Sequence, residues 1–214
     1  MRIESINCAT ITHIDYEGKK IATGIFKRPM DSPVLVRKQN LEGDQQADLK
    51  NHGGLDKAIY AFSANHYPYW QKELERESMS PGSFGENLTI SNLEESKILI
   101  GDQLSIGDCI LEVSQPRVPC FKLGIAMGDK RMPRLFTQSY KTGVYFRVIK
   151  EGEISKTDQA NITFSPKDSI SIKDFFRSVF DKQFENKQEV MERAIENVAL
   201  ADEWRSTLSK RLKG

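Results

Sequence analysis

Apolar and polar residues alternate with a period of two through most of the first three-quarters of the chain. The alternation is clearest in RIESINCATI, PVLVRK, QLSIGDCILEVS and TGVYFRVIK, with glycine or aspartate at the breaks. Such a period sends every second side chain to one face, so these segments predict strands with one buried side. One helix interrupts them. In NHYPYWQKELER, Tyr69, Trp70 and Leu74 fall near helical spacing, Pro68 suits a first turn, and Ser63 stands ready as a cap. After Pro166 the period becomes helical. Ile172, Phe175, Phe176, Val179 and Phe180 share one face. Val190, Ala194, Ile195 and Val198 share a second, headed by the capping-box pair Asn186 and Glu189. Trp204, Leu208 and Leu212 mark a third short helix. Many strands and few long helices favour a β-barrel or sandwich over a doubly wound sheet. The expected organisation is a mainly β domain with some α structure over residues 1–164 and a small three-helix bundle over residues 165–214.

Composition adds mainly exclusions. The chain has 214 residues, 38% hydrophobic and 29% charged, which is ordinary for a folded protein and far from disorder. A net charge of +1 gives no overall attraction to nucleic acid or membrane, so any anion site must be built locally. The basic end SKRLKG is an ordinary helix C-terminus, without the pattern of a recognition helix. No apolar run approaches the roughly 20 residues of a membrane span. Cys8, Cys109 and Cys120 are odd in number and widely spaced, with no signal peptide ahead of them. That argues against a disulfide framework and for a reducing, cytoplasmic setting.

The candidate chemistry gathers in four short segments. In SQPRVPC a strand-like run ends between prolines, with Arg117 and Lys122 near Cys120. Cations stabilise a thiolate, so Cys120 is either a reactive or metal-ligating thiol or a half-buried residue without chemistry. In TGIFKRP, Lys27 and Arg28 are either an anion site or a solvated strand end. In DLKNHGGLDKAIYAF, His52 precedes Gly53 and Gly54, whose lack of a Cβ allows a tight turn and close approach of backbone to ligand. Asp48 and Asp56 flank this turn and could fix an imidazole tautomer, and Lys57 follows. In SFGENLTI, Gly85 permits a special backbone angle beside Phe84, Glu86 and Asn87, either as a ligand-binding turn or as a polar turn before a strand. The chain contains no GxGxxG or GxxxxGK[ST] loop, no CxxC or HExxH pair and no GxSxG elbow. A Cys–His hydrolase built from Cys120 and His52 stays geometrically open.

Taken together and in order, GIFKRP, GDQQADLKNHGGLDKAIYAF, PGSFGENLTI, GDQLSIGD and SQPRVPCFKL closely resemble the MOSC domain, the C-terminal domain of molybdenum-cofactor sulfurases. The last helices are similar to the small domain that follows MOSC in proteins of the YiiM type. The resemblance covers essentially the whole chain and implies a closed MOSC β-barrel, similar to the pyruvate-kinase barrel, followed by the three-helix bundle. It implies that the molybdenum cofactor (Mo-molybdopterin), and not pyridoxal phosphate, binds at Lys27, Arg28, His52, Gly53, Gly54, Phe84, Gly85, Glu86, Asn87, Arg117 and Cys120. The thiolate of Cys120 is then the metal ligand, which suits a high-valent molybdenum centre. The implied activity is reduction of N-hydroxylated compounds, such as hydroxylated purine base analogues, with His52 or Lys57 supplying a proton. Electrons are expected from a separate reductase, and the partners are a small N-hydroxylated substrate, no nucleic acid, no membrane and optionally a second copy of the chain. Two alternatives stay open: a sulfur-carrying or cofactor-carrying module with a persulfide on Cys120, and an interaction role for the terminal helices.

Overall fold

The computed structural model describes residues 1–49 and 53–213. In chain order the first strands are β1 (Arg2–Cys8), β2 (Thr12–Tyr16), β3 (Lys19–Thr23), β4 (Arg28–Pro29), β5 (Val34–Val36) and β6 (Ile59–Ser63). Helix α1 (Tyr67–Glu73) and strands β7 (Leu88–Ser91), β8 (Gln103–Ile106) and β9 (Cys109–Pro116) follow. Two short helices, α2 (Phe121–Ala126) and α3 (Met132–Ser139), precede β10 (Val144–Lys150), β11 (Gly152–Ile154) and β12 (Ala160–Phe164). The chain ends with α4 (Ile172–Phe180), α5 (Lys187–Glu196) and α6 (Asp202–Lys213). No helix among the described residues is long and apolar enough to cross a membrane.

Eight strands form one sheet in the order β12-β8-β9-β10-β6-β7-β1-β4. Its pairs are antiparallel except β6 with β7. The architecture is therefore mixed α/β around a large sheet, and the closed barrel of expectation is not a continuous ladder. One edge of β1 carries β7, and β4 occupies the far half of the other edge at Asn7 and Cys8. That leaves β12 only the start of β1. Arg2 bridges Gln159 there, Ile3 N–H donates to the Asp158 carbonyl at 3.2 Å, and Ala160 N–H donates to that of Met1 at 3.1 Å.

The strands and helices read from periodicity are found, with corrections at their caps and at Val198, which lies past the end of α5 and is exposed. Pro68 does lie in the first turn of α1, but a 3-10 turn over Ala64–His66 separates it from Ser63, whose hydroxyl makes no capping bond. Asn186 stands at the head of α5 with φ −87° and ψ 27°, away from the extended conformation a capping side chain needs, and it caps nothing. The working cap is Ser171, whose Oγ accepts from Asp174 N–H at 3.0 Å at the start of α4.

Two cores organise the packing. The aliphatic core lies against the sheet, with Ile6, Leu88, Leu111 and Val144, and the terminal helices insert Phe175, Met191, Ala194 and Leu208 into it. Residues beyond 165 thus share the core of the sheet. The second core is aromatic: Tyr60, Phe62, Tyr67, Trp70, Phe84 and Phe136 pack with Leu123 and Met127 of the α2 turn. Phe62 stacks on Phe84 with ring centroids 4.2 Å apart. Each fully buried phenyl contributes roughly 1.5–3 kcal/mol, so this small cluster fixes the loops that carry it.

Candidate functional site

Three adjacent strands present a row of side chains toward one edge of the aromatic core. Tyr145 of β10 pairs with Tyr60 of β6 on one side and with Gln115 of β9 on the other. Residues directly opposite in antiparallel strands point to the same face, so Tyr60, Tyr145 and Gln115 stand together. Strand β9 ends at Pro116, and the stretch Arg117–Pro119 leads to Cys120, which stands extended (φ −123°, ψ 176°) at the head of α2. Cys120 is half-buried.

A first chamber, about 600 Å³ including its solvent-open part, is lined by Lys27, Asp44, Gln46, Asp48, Lys57, Tyr60, Gly85, Asn87, Arg117, Cys120, Lys122 and Tyr145. Four of these side chains are cations and two are carboxylates, which leaves a surplus of positive charge. The charges differ in status. Lys27 is neutralised by Asp44, 2.5 Å away and nearly inaccessible to solvent. Asp44 also accepts from Ala9 N–H at 2.9 Å and from the Asn87 amide at 3.0 Å, and the Asn87 side-chain oxygen accepts from Tyr60 N–H at 3.1 Å. This chain of bonds holds the floor of the chamber.

Arg117 is different. It is buried, it donates to the Phe84 carbonyl, and its guanidinium lies 4.8 Å from the Tyr60 ring centroid and 5.6 Å from that of Phe136. Among the described residues no carboxylate pairs with it. Burial disfavours its charge, and the oxygens of Tyr60 and Tyr145 more than offset that, so its pKa moves up and it remains a cation. A buried charge without a counter-ion is costly, and an anion in the chamber would relieve it. Burial also pushes the Tyr60 and Tyr145 phenols up, so both keep their protons, and Tyr60 spends its own on the Thr142 carbonyl at 2.9 Å. The Gln46 amide donates to the carbonyls of Gln39 and Lys57 at 3.2 and 3.1 Å, while its buried Oε1 has no partner among the described residues.

A second chamber, about 690 Å³ including its solvent-open part, adjoins the first across Cys120. It is lined by Lys57, Gln115, Pro116, Val118, Pro119, Cys120, Tyr145, Glu203 and Trp204. Lys57, Cys120 and Tyr145 therefore border both chambers. Glu203 and Trp204 come from α6, and Lys57 Nζ is 2.6 Å from the Glu203 carboxylate. A backbone bond from Ala201 N–H to the Ser114 carbonyl, 3.2 Å, ties the start of that helix to β9.

The structure gathers Lys27, Lys57, Gly85, Asn87, Arg117 and Cys120 around one chamber. Other candidates stand elsewhere. Arg28 is exposed on β4 and does not line the chamber, because the strand turns it away from Lys27. Phe84 is fully buried in the aromatic core. Glu86 is buried too, and burial raises its pKa; its carboxylate accepts from Gly82 N–H at 2.8 Å, Phe84 N–H at 3.0 Å, the Thr89 hydroxyl at 2.9 Å and the Tyr67 hydroxyl. Glu86 shapes the loop and does not face a ligand. Gly53 and Gly54 do not line the chamber, and a Cβ on Gly53 would collide with Gln46 Oε1. At Gly85 (φ +74°) a Cβ would come within 2.8 Å of Ile25 Cγ1, so that glycine serves contact between loops. Asp56 is held by Arg147 at 2.7 Å, away from any imidazole role. His52 lies outside the described residues. Periodicity gave no sign of Asp44, Gln46, Tyr60, Tyr145, Gln115 or Glu203; these reach the site through strand register and long-range packing.

The three thiols separate cleanly. Burial pushes Cys8 up to about 11 and Cys109 up to about 12, both within the aliphatic core. Cys120 alone borders a chamber, as a sole soft donor; among the described residues no cluster of three or more His, Cys, Asp or Glu could hold a metal ion.

The MOSC domain model matches residues 48–161. The Bacillus subtilis protein YflK is 39% identical over 207 residues, covering 97% of this chain and 92% of its own length. A protein of Gibberella moniliformis named as a reductase is 34% identical over 152 residues, 70% of this chain and 27% of that one. The crystal structure of YiiM from Geobacillus stearothermophilus superposes with a TM-score of 0.82 at 31% identity, covering 99% of this chain and 98% of that one.

Proposed function

The chain belongs to the MOSC family and is of the YiiM type, and on that premise we propose that it binds the molybdenum cofactor in the first chamber and reduces N-hydroxylated compounds. Arg117 carries the proposal: a buried cation with no carboxylate partner, beside the one chamber-facing thiol, is what an anionic, metal-bearing group needs. The orphaned Gln46 Oε1 fits as well, since a pterin presents N–H donors to an acceptor of this kind. The relative named as a reductase supports the reaction class.

In this scheme Arg117 and Lys122 receive the phosphate end, Asn87 and Gln46 orient the ring system, and Cys120 supplies a thiolate to the metal. When bound, the cofactor provides the electrons of the reduction. An N–OH bond takes up two electrons and two protons, giving N–H and water. The ammonium of Lys57, bordering both chambers, protonates the leaving hydroxyl, Glu203 beside it holds that side chain in place, and the second proton reaches the nitrogen from solvent. Electrons arrive from a separate reductase.

The test is molybdenum per chain, together with turnover of an N-hydroxylated substrate under a chemical reductant, in protein from a cofactor-competent host. Wild type should retain close to one molybdenum, and Cys120→Ser should lose metal and turnover while folding normally. Equal molybdenum in the two proteins, or none in wild type, overturns the assignment. A persulfide on Cys120 with no turnover would mark a sulfur carrier.

A further inference from the structure

The second chamber meets the first at Cys120, Lys57 and Tyr145, and it contains an unusual group of its own. Gln115 is 1% exposed, and both ends of its amide, Oε1 and Nε2, lack a hydrogen-bond partner among the described residues. Buried side-chain amides are rarely left in that condition, because the donor and the acceptor both give up water. Its place in the sheet shows where it points. Gln115 is directly opposite Tyr145, so the two side chains leave the same face, and both residues line the chamber. Across the chamber stand Trp204 and Glu203, contributed by the last helix.

We propose that the second chamber is the substrate pocket, and that the Gln115 amide recognises a planar cis-amide or amidine edge, one N–H donor beside one acceptor. An amide presents an acceptor and a donor side by side in one plane. Its complement is a ligand edge with the same pair reversed, which a ketone or a hydrocarbon lacks. Apolar and aromatic walls at Val118, Pro116, Pro119, Tyr145 and Trp204 suit the flat remainder of such a molecule. Cys120 and Lys57 at the shared boundary set the distance from this edge to the reacting bond. The terminal helix thereby becomes part of the site, supplying a wall and, through the Lys57–Glu203 contact, its fastening. The proposal rests on the first chamber being the cofactor site, but its test does not require the cofactor.

The chain has two tryptophans, Trp70 sealed in the aromatic core and Trp204 at the chamber, so intrinsic fluorescence reports on the chamber over a constant background. Benzamide, which carries the complete edge, is titrated against acetophenone, which carries only the acceptor. Wild type should bind benzamide at least tenfold more tightly than acetophenone, with the signal abolished in Trp204→Phe. Gln115→Leu should lose the preference while keeping its molybdenum content, and Gln115→Met provides the same test if the leucine variant does not fold. Equal affinity for the two probes in wild type, no response to benzamide, or an undiminished preference in the Gln115 variants overturns the proposal. Molybdenum content, read on the same samples, decides the cofactor assignment separately.

Discussion

Asp44, Asn87 and Tyr60 hold the first chamber through a continuous set of hydrogen bonds, and Glu86 fixes the neighbouring loop with four acceptor contacts. The second chamber has fewer polar contacts among its walls. One wall is a helix joined across the chamber by the Lys57–Glu203 ion pair, whose carboxylate is half-exposed, and the Gln115 amide on the same chamber has no partner among the described residues. The contrast suits a division of labour. A permanently bound group wants a receptor whose donors are already fixed, so that little ordering is left at the moment of binding. A pocket that is proposed to fill and empty at each turnover instead leaves a polar group unspent, to be met by each incoming molecule.

The largest contrast should appear in the thiols. With Cys8 pushed up to about 11 and Cys109 to about 12, both remain below about 0.1% thiolate at pH 8 and are shielded as well. Iodoacetamide should therefore label the native chain once, at Cys120, and the denatured chain three times. Labelling of the two buried thiols should rise about tenfold per pH unit, since both titrate far above the working range. Two or three native labels at similar rates would contradict this.

Next in size is Glu86→Ala, which strands four donors in a buried loop. Water entering the vacated space re-pairs some of them, and at about 1–3 kcal/mol for each of roughly two left stranded, urea denaturation should show a loss of about 2–6 kcal/mol. A loss below about 1 kcal/mol would mean that the loop is held by its aromatic residues instead. Arg117→Met should leave the anion-free chain at least as stable as wild type and lower cofactor affinity about tenfold or more, as loss of one charge-assisted contact implies. Undiminished molybdenum retention would move the anion site elsewhere. The smallest effect belongs to Glu203→Gln. A half-exposed pair contributes about 0–1 kcal/mol, so melting should barely change while benzamide affinity shifts and molybdenum content holds. Lost molybdenum would show that the two chambers are not independent.

The sequence made some of this visible and hid the rest for physical reasons. Period-two and helical patterns located β1, β5, β8, β9, β10 and the last three helices, because each buries one face against the aliphatic core. Helices α2 and α3 escaped notice: they are six and eight residues long and pack into an aromatic cluster whose members come from five separate segments. At the site, Cys120, Arg117, Lys27 and Asn87 carry local signals in prolines, charge and turn residues. Gln115 sits in a strand where a polar residue reads as solvent-facing, and only its register opposite Tyr145 turns it inward. Glu203 lies 146 positions after Lys57, a distance no periodicity spans.

On the proposed reading, Arg117 would tie the chain's fate to its ligand supply. A cation enclosed by Tyr60 and Phe136, with no carboxylate paired to it among the described residues, would make the empty form the weaker one, and an anion that binds only the folded state adds stability in proportion to the logarithm of its saturation. Chains synthesised faster than the anion is delivered would open more often and be cleared first by proteases. Cellular abundance would then follow cofactor availability with no dedicated regulator, the sensor being one side chain.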